Sequence, residues 1–146
     1  MDLCFRQATD AESELIKEIV ALQGRYTKLW NDGPTYMLCR SGDGMPLAWV
    51  RHWRTPLGRH AVMSLTVQEE ERGKKLGLYL VQQLITQTTE TDRWILDCHK
   101  SLKLYYERIG FREIDRAQAP ELLSADELPD SICMECLRGN LQPVAD

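Results

Sequence analysis

The chain has 146 residues, of which 43% are hydrophobic and 27% are charged. This length predicts a single domain over residues 1–146 with its own core, and the composition excludes an intrinsically disordered chain. The formal net charge of −4 argues against nucleic acid as a partner, because a nucleic-acid-binding surface needs an excess of cations.

Hydrophobic patterns predict seven strands and three helices. The strand candidates are apolar runs bounded by turn residues, and in chain order they cover 2–7, 35–40, 46–54, 59–67, 93–98, 111–114 and 132–138. The helix candidates have apolar residues at helical spacing, and they cover 11–23, 73–88 and 101–110. This order of elements predicts a mixed α/β sheet with helices on both faces.

Local signals mark where several of these elements begin and end. Thr9 followed by Glu12 is the pattern of a capping box, which predicts the start of the first helix. The SGDG sequence at 41–44 predicts the turn of a hairpin, and Gly110 suits the left-handed cap of the third helix. The predicted buried stripe of the first helix consists of Leu15, Ile16, Ile19 and Val20.

The segment LTVQEEERGKKLGLYLVQQL, residues 65–84, joins a strand to a helix through a charged turn. The first N–H groups of a helix have no intrahelical partner, and together with the helix dipole they bind phosphate groups well. Gly73 and Gly77 let a ligand approach the backbone, and positive charge comes from Arg72, Lys74 and Lys75. The turn is therefore a candidate anion site, and the alternative is a turn eased by glycine beside solvated cations.

A second segment, WILDCHKSLKLYYERIGF at residues 94–111, completes a longer pattern. The two segments together resemble the GNAT superfamily of N-acetyltransferases. Its signature is a strand, a Q/R-x-x-G-x-G/A turn that opens a helix, and then a strand and a short helix that ends in Tyr-Glu-x-x-Gly-Phe. Val67, the run 72–77 and the run 106–111 fall into these places, and the resemblance is strongest over 46–114.

The chain departs from the family pattern at two places. Lys75 stands where the first glycine of the turn is usual, which implies a slightly different phosphate loop or an added charge contact there. The asparagine that is often found between Cys98 and Tyr105 is also absent. Ser101 is the nearest polar substitute and a candidate contact to the cofactor, and its alternative role is that of a helix N-cap.

The resemblance implies a GNAT-like acyl-CoA N-acyltransferase fold, with a sheet of about six or seven strands that splays between the fourth and the fifth. Acetyl-CoA would lie in this splay as the acetyl donor. The backbone of Leu65, Thr66 and Val67 would hold the pantetheine arm. The pyrophosphate would be held by the amides of Arg72, Gly73, Lys74, Lys75, Leu76 and Gly77.

The resemblance also implies an enzyme in which a primary amine of a small molecule or peptide attacks the thioester directly. The backbone N–H of Val67 would stabilise the negative oxygen, and Tyr106 would protonate the departing thiolate. Tyr105 is expected in the core. The partners are acetyl-CoA and the amine, and the protein would act as a monomer or homodimer. The alternative is a catalytically silent GNAT-like domain that binds acetyl-CoA or CoA as a regulatory ligand.

The residue that deprotonates the acceptor is less well defined by the sequence. Candidates are Glu69, Glu70 and His60, each of which also fits a purely structural or surface role. An acidic loop is a candidate attractor for a cationic acceptor, and its members are Glu121, Asp126, Glu127 and Asp130. Tryptophans are candidates for the lining of an acceptor pocket, namely Trp30, Trp49 and Trp53.

Other chemistries fit the sequence less well. Cys133 and Cys136 form a C-x-x-C pair, but strand alternation directs them to opposite faces, which argues against a redox site. The three histidines are dispersed, so no zinc site is predicted. The chain start lacks a signal-peptide pattern, no segment approaches a membrane span, and five cysteines suit a reducing compartment. We therefore expect a cytoplasmic protein with no membrane partner and no metal.

Overall fold

The computed structural model describes residues 2–22, 34–42, 44–88, 93–122 and 130–144. The strands, numbered along the chain, are β1 (Leu3–Gln7), β2 (Thr35–Arg40), β3 (Pro46–Arg54), β4 (His60–Val67), β5 (Arg93–His99), β6 (Arg112–Ile114) and β7 (Ser131–Leu137). The α-helices in this part of the chain are α1 (Asp10–Leu22), α2 (Leu76–Gln87) and α3 (Lys103–Glu107). Each corresponds to an element predicted from the sequence.

All seven strands belong to one mixed sheet with the order β1-β2-β3-β4-β5-β7-β6. Neighbouring strands are antiparallel except β4 and β5, which are parallel and pair only at His60 with Trp94 and at Ala61 with Ile95. Beyond these two pairs the strands separate, whereas β5 and β7 stay paired from Arg93 to His99. The predicted mixed sheet that splays between its fourth and fifth strands is confirmed.

An irregularity in the pairing of β4 with β3 accompanies this separation. Trp49 lies opposite Thr66, and Arg51 lies opposite Met63, so three steps along β4 match two steps along β3. An extra residue of this kind is a β-bulge, which bends the strand that carries it and re-aims the residues that follow. The C-terminal end of β4 therefore turns away from β5.

Helices cover both faces of the sheet. On one face α2 buries Leu80, Val81 and Leu84 in the main core, and on the other face Ile16 of α1 packs against Met37, among others. Leu15 was predicted to lie in the same buried stripe, but its side chain is 57% exposed. Consecutive helix residues point about 100° apart, and the sheet lies on the side of Ile16. The side chains of 19–22 are outside the described part of the structure.

The capping box predicted at the start of α1 is confirmed. The N–H of Glu12 donates to the Thr9 hydroxyl at 3.2 Å, and the N–H of Thr9 donates to the Glu12 carboxylate at 2.9 Å. Two donors that the helix start leaves open are thereby satisfied. Arg6 of β1 adds two hydrogen bonds to the same carboxylate, and these bonds hold the pKa of Glu12 at about 2.

The cysteines of β7 face opposite sides of the sheet, as alternation predicts. Cys133 packs in a small cluster with Ala61 and Ile95, and Cys136 packs in the main core beneath α2. Burial raises the pKa of both thiols, that of Cys136 to about 11, so both stay protonated and unreactive at neutral pH. This geometry does not fit a dithiol redox site.

Two buried histidines lie at the closed end of the β4–β5 pair. His52 of β3 and His60 of β4 share a hydrogen bond between their rings and pack on Trp94, whose ring centroid is about 5 Å from each. Burial, and to a smaller degree the neighbouring His60, lowers the pKa of His52 to about 4. The imidazole is therefore neutral in the folded protein near neutral pH.

This depressed pKa predicts a loss of stability in acid. The unfolded chain takes up a proton on His52 below pH 6.5, whereas the folded chain does so only near pH 4, so the stabilisation is complete above pH 6.5 and is lost as the pH falls between these values. We expect the free energy of unfolding to fall by about 3 kcal/mol from this residue over that interval. Urea titrations of the parent and His52→Gln at pH 7 and pH 4.5 measure it, and equal pH dependence in both proteins would contradict it.

No helix in the described segments has both the length and the apolar character needed to cross a membrane.

Candidate active site

A cleft of about 560 Å³ opens where β4 leaves β5, between the C-terminal end of β4, the start of α2 and the helix α3. Nine of the eleven residues predicted from the sequence to form a site line it: Leu65, Thr66, Val67, Arg72, Gly73, Lys75, Leu76, Gly77 and Tyr106. The remaining two, Lys74 and Ser101, do not line this cleft. The gap in the sheet therefore forms one cleft with the two segments that carry the family resemblance, residues 65–84 and 94–111.

The turn before α2 owes its shape to two residues with positive φ. Gly73 has φ of +86°, and Lys75, the N-cap of α2, has φ of +62°. The left-handed conformation at Lys75 delays the helix, which begins at Leu76 and not at the predicted residue 73. The first N–H groups of α2 consequently face the cleft without intrahelical partners. Together with the cations of the turn, they form an arrangement that fits a pyrophosphate.

The conformation of Lys75 predicts a gain in stability when glycine replaces it. The left-handed backbone conformation lowers the free energy of unfolding by about 1 kcal/mol when the residue is not glycine. Lys75→Gly should therefore raise the melting temperature by about 3 °C. Lys75→Ala removes the charge and retains the strain, so it serves as the control. If Lys75 contacts the pyrophosphate, both variants should bind CoA more weakly, whereas only the glycine variant should be more stable. A glycine variant less stable than the alanine variant would contradict this interpretation.

Glu71 places a negative charge at the edge of this cationic turn. It is buried, pairs with Lys74 at 2.8 Å and lies 3.8 Å from Arg40. Lys74 is thus committed to Glu71, and it lines a neighbouring cavity of about 430 Å³ that also contains Tyr79. The positive charge that faces the main cleft comes from Arg72 and Lys75, with Arg108 of the turn after α3 on the opposite wall.

The polar backbone groups of Val67 point into the gap. The N–H of Gln68 donates to Leu47 of β3 at 2.9 Å, and successive N–H groups of a strand point to opposite edges, so the N–H of Val67 points towards β5. The Val67 carbonyl on the same edge accepts a hydrogen bond from Nε of Arg72 at 3.3 Å. A backbone donor is therefore available at the open edge of β4.

Two neighbouring tyrosines line the cleft from α3. Tyr106 is buried, and its ring meets those of Tyr105 and Phe111 edge-on, with centroids 5.1 and 5.9 Å away. Tyr105, which was expected in the core, is only half-buried, and its hydroxyl reaches the start of α2 beside Gly77. Burial raises the pKa of Tyr105, and the N–H of Leu78 at its oxygen opposes this rise.

Four residues of the cleft wall were missed by sequence reasoning: Glu71, Leu102, Tyr105 and Arg108. The last three are spaced by three residues, which places them on one side of a helix. This spacing was a usable signal for α3, because Tyr105 and Arg108 share the side that faces α2. Nothing in the sequence around Glu71 marks it as buried.

His99, and not Ser101, caps the turn that leads into α3. Its Nδ1 accepts a hydrogen bond from the backbone N–H of Ser101 at 3.1 Å, and it also lies 2.8 Å from the Ser101 hydroxyl. The alternative role of Ser101 as the N-cap was therefore wrong, because the side chain two residues earlier already takes that place. Ser101 itself is exposed.

The proposed bases differ in where the structure places them. Glu69 and Glu70 are exposed on the turn after β4. His60 is buried at the far end of β4, seven residues before Val67, and at about 3.3 Å per residue this places it about 20 Å from Val67. His60 is therefore too distant to act on a group in the cleft.

The acidic loop offers less free charge than its sequence suggests. Glu121 is buried and bound by Arg59, and its carboxylate also accepts a hydrogen bond from Thr55 at 2.7 Å. Asp130 pairs with Lys100 at 3.4 Å. Asp126 and Glu127 lie outside the described residues. A general attraction of cations by this loop therefore has no support in the described part.

Two tryptophans of the predicted acceptor pocket, Trp49 and Trp53, lie in the described part of the structure. Trp49 is buried with Met37 and Ile16 in the cluster beneath α1, Trp53 packs on another cluster, and Trp30 lies outside the described residues. Over the described ranges, no three His, Cys, Asp or Glu residues are grouped so that they could hold a metal ion.

Comparison with known proteins agrees with this geometry. The sequence model of the Acetyltransferase (GNAT) family matches residues 6–111. No curated protein sequence matches the chain significantly. Many solved structures do, among them an acetyltransferase of the GNAT family from Staphylococcus aureus Mu50, with a TM-score of 0.70 and 16% identity over 94% of this chain and 99% of that one.

Two further structures have similar folds. Escherichia coli ElaA has a TM-score of 0.69 and 15% identity over 92% of this chain and 99% of its own. N-acetylglutamate synthase from Neisseria gonorrhoeae, complexed with coenzyme A and N-acetyl-glutamate, has a TM-score of 0.67 and 13% identity over 94% of this chain and 35% of its own. The match of the family model over most of the chain, together with the split sheet and its cleft, shows that this protein belongs to the GNAT family of acetyltransferases.

Proposed function

We propose that this protein is an acetyl-CoA-dependent N-acetyltransferase that acts on a primary amine of a small molecule or peptide. The observation that carries the proposal is the cleft itself, in which the gap between β4 and β5 meets the cationic start of α2 and the tyrosines of α3. Membership of the family supports acyl transfer, and the solved relative that holds coenzyme A supports the donor class.

The residues of the cleft fit the two halves of the donor. The N–H groups of Leu76 and Gly77 at the start of α2, with Arg72 and Lys75, suit the charge of the pyrophosphate. The pantetheine arm, which carries amide groups, matches the backbone of Leu65–Val67, which borders the gap where β4 no longer pairs with β5. Leu65 and Leu76 supply apolar contacts for its methylene groups. We also propose that the donor contacts Ser101 and Lys74, which do not line the cleft itself.

The chemistry that we propose is direct attack of the amine on the thioester. The N–H of Val67 stabilises the oxygen on which negative charge develops, because it points into the gap and has no strand partner there. Tyr106 donates its phenolic proton to the departing sulfur. The C–N bond forms and the C–S bond breaks, and solvent returns a proton to the phenolate.

We further propose that the protein is cytoplasmic and acts as a monomer or homodimer. All five thiols are free, which favours a reducing compartment. A catalytically silent CoA-binding domain remains the second candidate, and the burial of Tyr106 among core aromatics is the observation that favours it.

A panel of amines tests the function and separates these two candidates. Polyamines, amino acids, aminoglycosides and peptides are each mixed with acetyl-CoA, and free thiol is followed with time. We expect at least one amine to release thiol in proportion to enzyme. In parallel, CoA should raise the melting temperature, which NAD and ATP should not match. A CoA-dependent melting shift without thiol release from any amine would identify the silent domain, and no shift would contradict both candidates.

A further inference from the structure

An aspartate lies on β5 where this strand leaves β4. Asp97 is two residues beyond Ile95, which is the last residue of β5 that pairs with β4. Alternation places Asp97 on the same face as Ile95, and the register of β5 with β7 places it opposite Cys133 of the same small cluster. Leu96 points to the other face, where α2 and α3 pack. The Asp97 carboxylate therefore borders the gap from the side opposite the cleft.

The carboxylate of Asp97 retains unused hydrogen-bonding capacity. Its side chain is only 13% exposed, and its Oδ2 accepts no hydrogen bond within the described residues. Nη1 of Arg116 lies 3.9 Å away, a distance that allows an ion pair and is too long for a hydrogen bond. The same guanidinium instead donates through Nη2 to Ser131 at 2.6 Å. A buried, under-satisfied carboxylate costs stability, so its presence beside a gap points to function.

The geometry of the sheet decides from which side an acceptor can approach. If the donor occupies the cleft, α2 and α3 cover the thioester on that face, and the gap leaves it open towards the opposite face. We propose that Asp97 is a catalytic residue that binds the ammonium group of the acceptor and removes its proton. This inference rests on the proposed acetyltransferase function and names the acceptor side of that site.

The protons balance in this scheme. An acceptor R-NH₃⁺ gives one proton to the Asp97 carboxylate, and the neutral amine then forms the C–N bond as the C–S bond breaks. The nitrogen loses a second proton to water, and the sulfur receives one from Tyr106, which water restores. Asp97 releases its proton to bulk solvent, so the net products are the acetylated amine, CoA thiol and one proton.

The environment of Asp97 suits this task. Burial raises the pKa of Asp97, and the positive charge of Arg116 offsets only part of this rise. A carboxylate with a raised pKa is a stronger base towards an ammonium group than an exposed one. Other acids near the end of β4 lack this combination, because Glu69 and Glu70 are exposed and Glu71 is engaged by Lys74.

The test compares Asp97→Asn with the control Glu113→Gln on the amine that the parent acetylates best. Glu113 pairs with Lys103 at 3.2 Å and its side chain is 43% exposed, so its loss should change kcat/KM by less than about twofold. For Asp97→Asn we expect kcat/KM to fall by about 30-fold or more, with an unchanged melting shift in CoA. Its melting temperature without ligand should equal or exceed that of the parent, because a buried charge has been removed.

A pH profile distinguishes catalysis from a structural role. Arg116 lowers the pKa of Asp97, so Arg116→Gln should move the acid limb of kcat/KM to higher pH. An Asp97→Asn variant with parental activity, or one whose lost activity comes with a lowered melting temperature, overturns the inference and leaves the proposed function standing. An acid limb that does not move in Arg116→Gln also overturns it. A parent that acetylates no amine instead overturns the proposed function, and this inference with it.

Discussion

Replacing Tyr106 by phenylalanine is expected to lower kcat by about 100-fold while KM changes little. The substitution retains the ring that packs edge-on against Phe111 and removes only the hydroxyl. General acid catalysis is worth about 10²–10⁴ in rate, and a thiolate of reference pKa near 8.5 already leaves well, so the lower part of this range applies. The loss falls on kcat because the proton is needed only as the sulfur departs. Steady-state kinetics with the best amine of the panel measure it.

Tyr105→Phe is the matched control for this prediction. It removes a hydroxyl from the same helix, but one that lies beside the start of α2. We therefore expect its effect mainly on the affinity for CoA and not on kcat. Loss of kcat in Tyr105→Phe with a parental rate in Tyr106→Phe would show that the acid is assigned to the wrong tyrosine. Parental rates in both would mean that water or another group protonates the sulfur.

Replacing Gly77 by valine is expected to raise the Kd for CoA by at least about tenfold. The sequence suggested that this glycine gives a ligand room beside the backbone, but the room is already occupied by protein. A Cβ here would lie 2.5 Å from the Tyr105 hydroxyl and 3.3 Å from side-chain atoms of Leu65 and Val67. Overpacking costs about 1–3 kcal/mol, and a tenfold change in Kd corresponds to about 1.4 kcal/mol. Displacement of Tyr105 into the cleft is the expected cause.

Two further variants make this prediction specific. Gly139→Val adds the same side chain where no atom lies within 4 Å, so its CoA affinity should stay parental. Gly77→Ala meets the same hydroxyl, and combining it with Tyr105→Phe should restore part of the stability that Gly77→Ala loses, because the clashing atom is removed. Calorimetric titration with CoA and thermal melting provide both readouts. A folded Gly77→Val protein with parental affinity would show that this turn is not the pyrophosphate site.

The order of elements was largely predictable from the sequence. The hairpin of Thr35–Arg40 and Pro46–Arg54 has the predicted bounds, because turn residues separate two apolar runs. The sheet splay and the joining of 72–77 with Tyr106 were implied by the family resemblance, and the fold bears them out. Local chemistry and family pattern therefore sufficed for the framework of the cleft.

The features that the sequence did not predict depend on local backbone and capping geometry at two places and on a contact between distant segments at a third. Because Lys75 has a left-handed conformation, α2 begins later than the apolar pattern suggests. His99 takes the N-cap place because its ring accepts a hydrogen bond from the N–H of Ser101, two residues further along the chain. The burial of Asp97 depends on the pairing of β5 with β7 and on Arg116, which lies 19 positions further along the chain. Neither helical nor strand periodicity carries information of this kind.

Hydrogen exchange of the backbone amides with saturating CoA tests the central claim most directly, because it shows where the ligand binds. The account predicts that CoA slows exchange at Leu65–Val67 and at residues 72–78, which form the turn and the start of α2, since these amides would become hydrogen-bonded or shielded from water. Exchange in α1, which packs on the opposite face of the sheet, should not change. Slower exchange confined to other segments, or no change at saturating CoA, would contradict the assignment of this cleft as an acyl-CoA site.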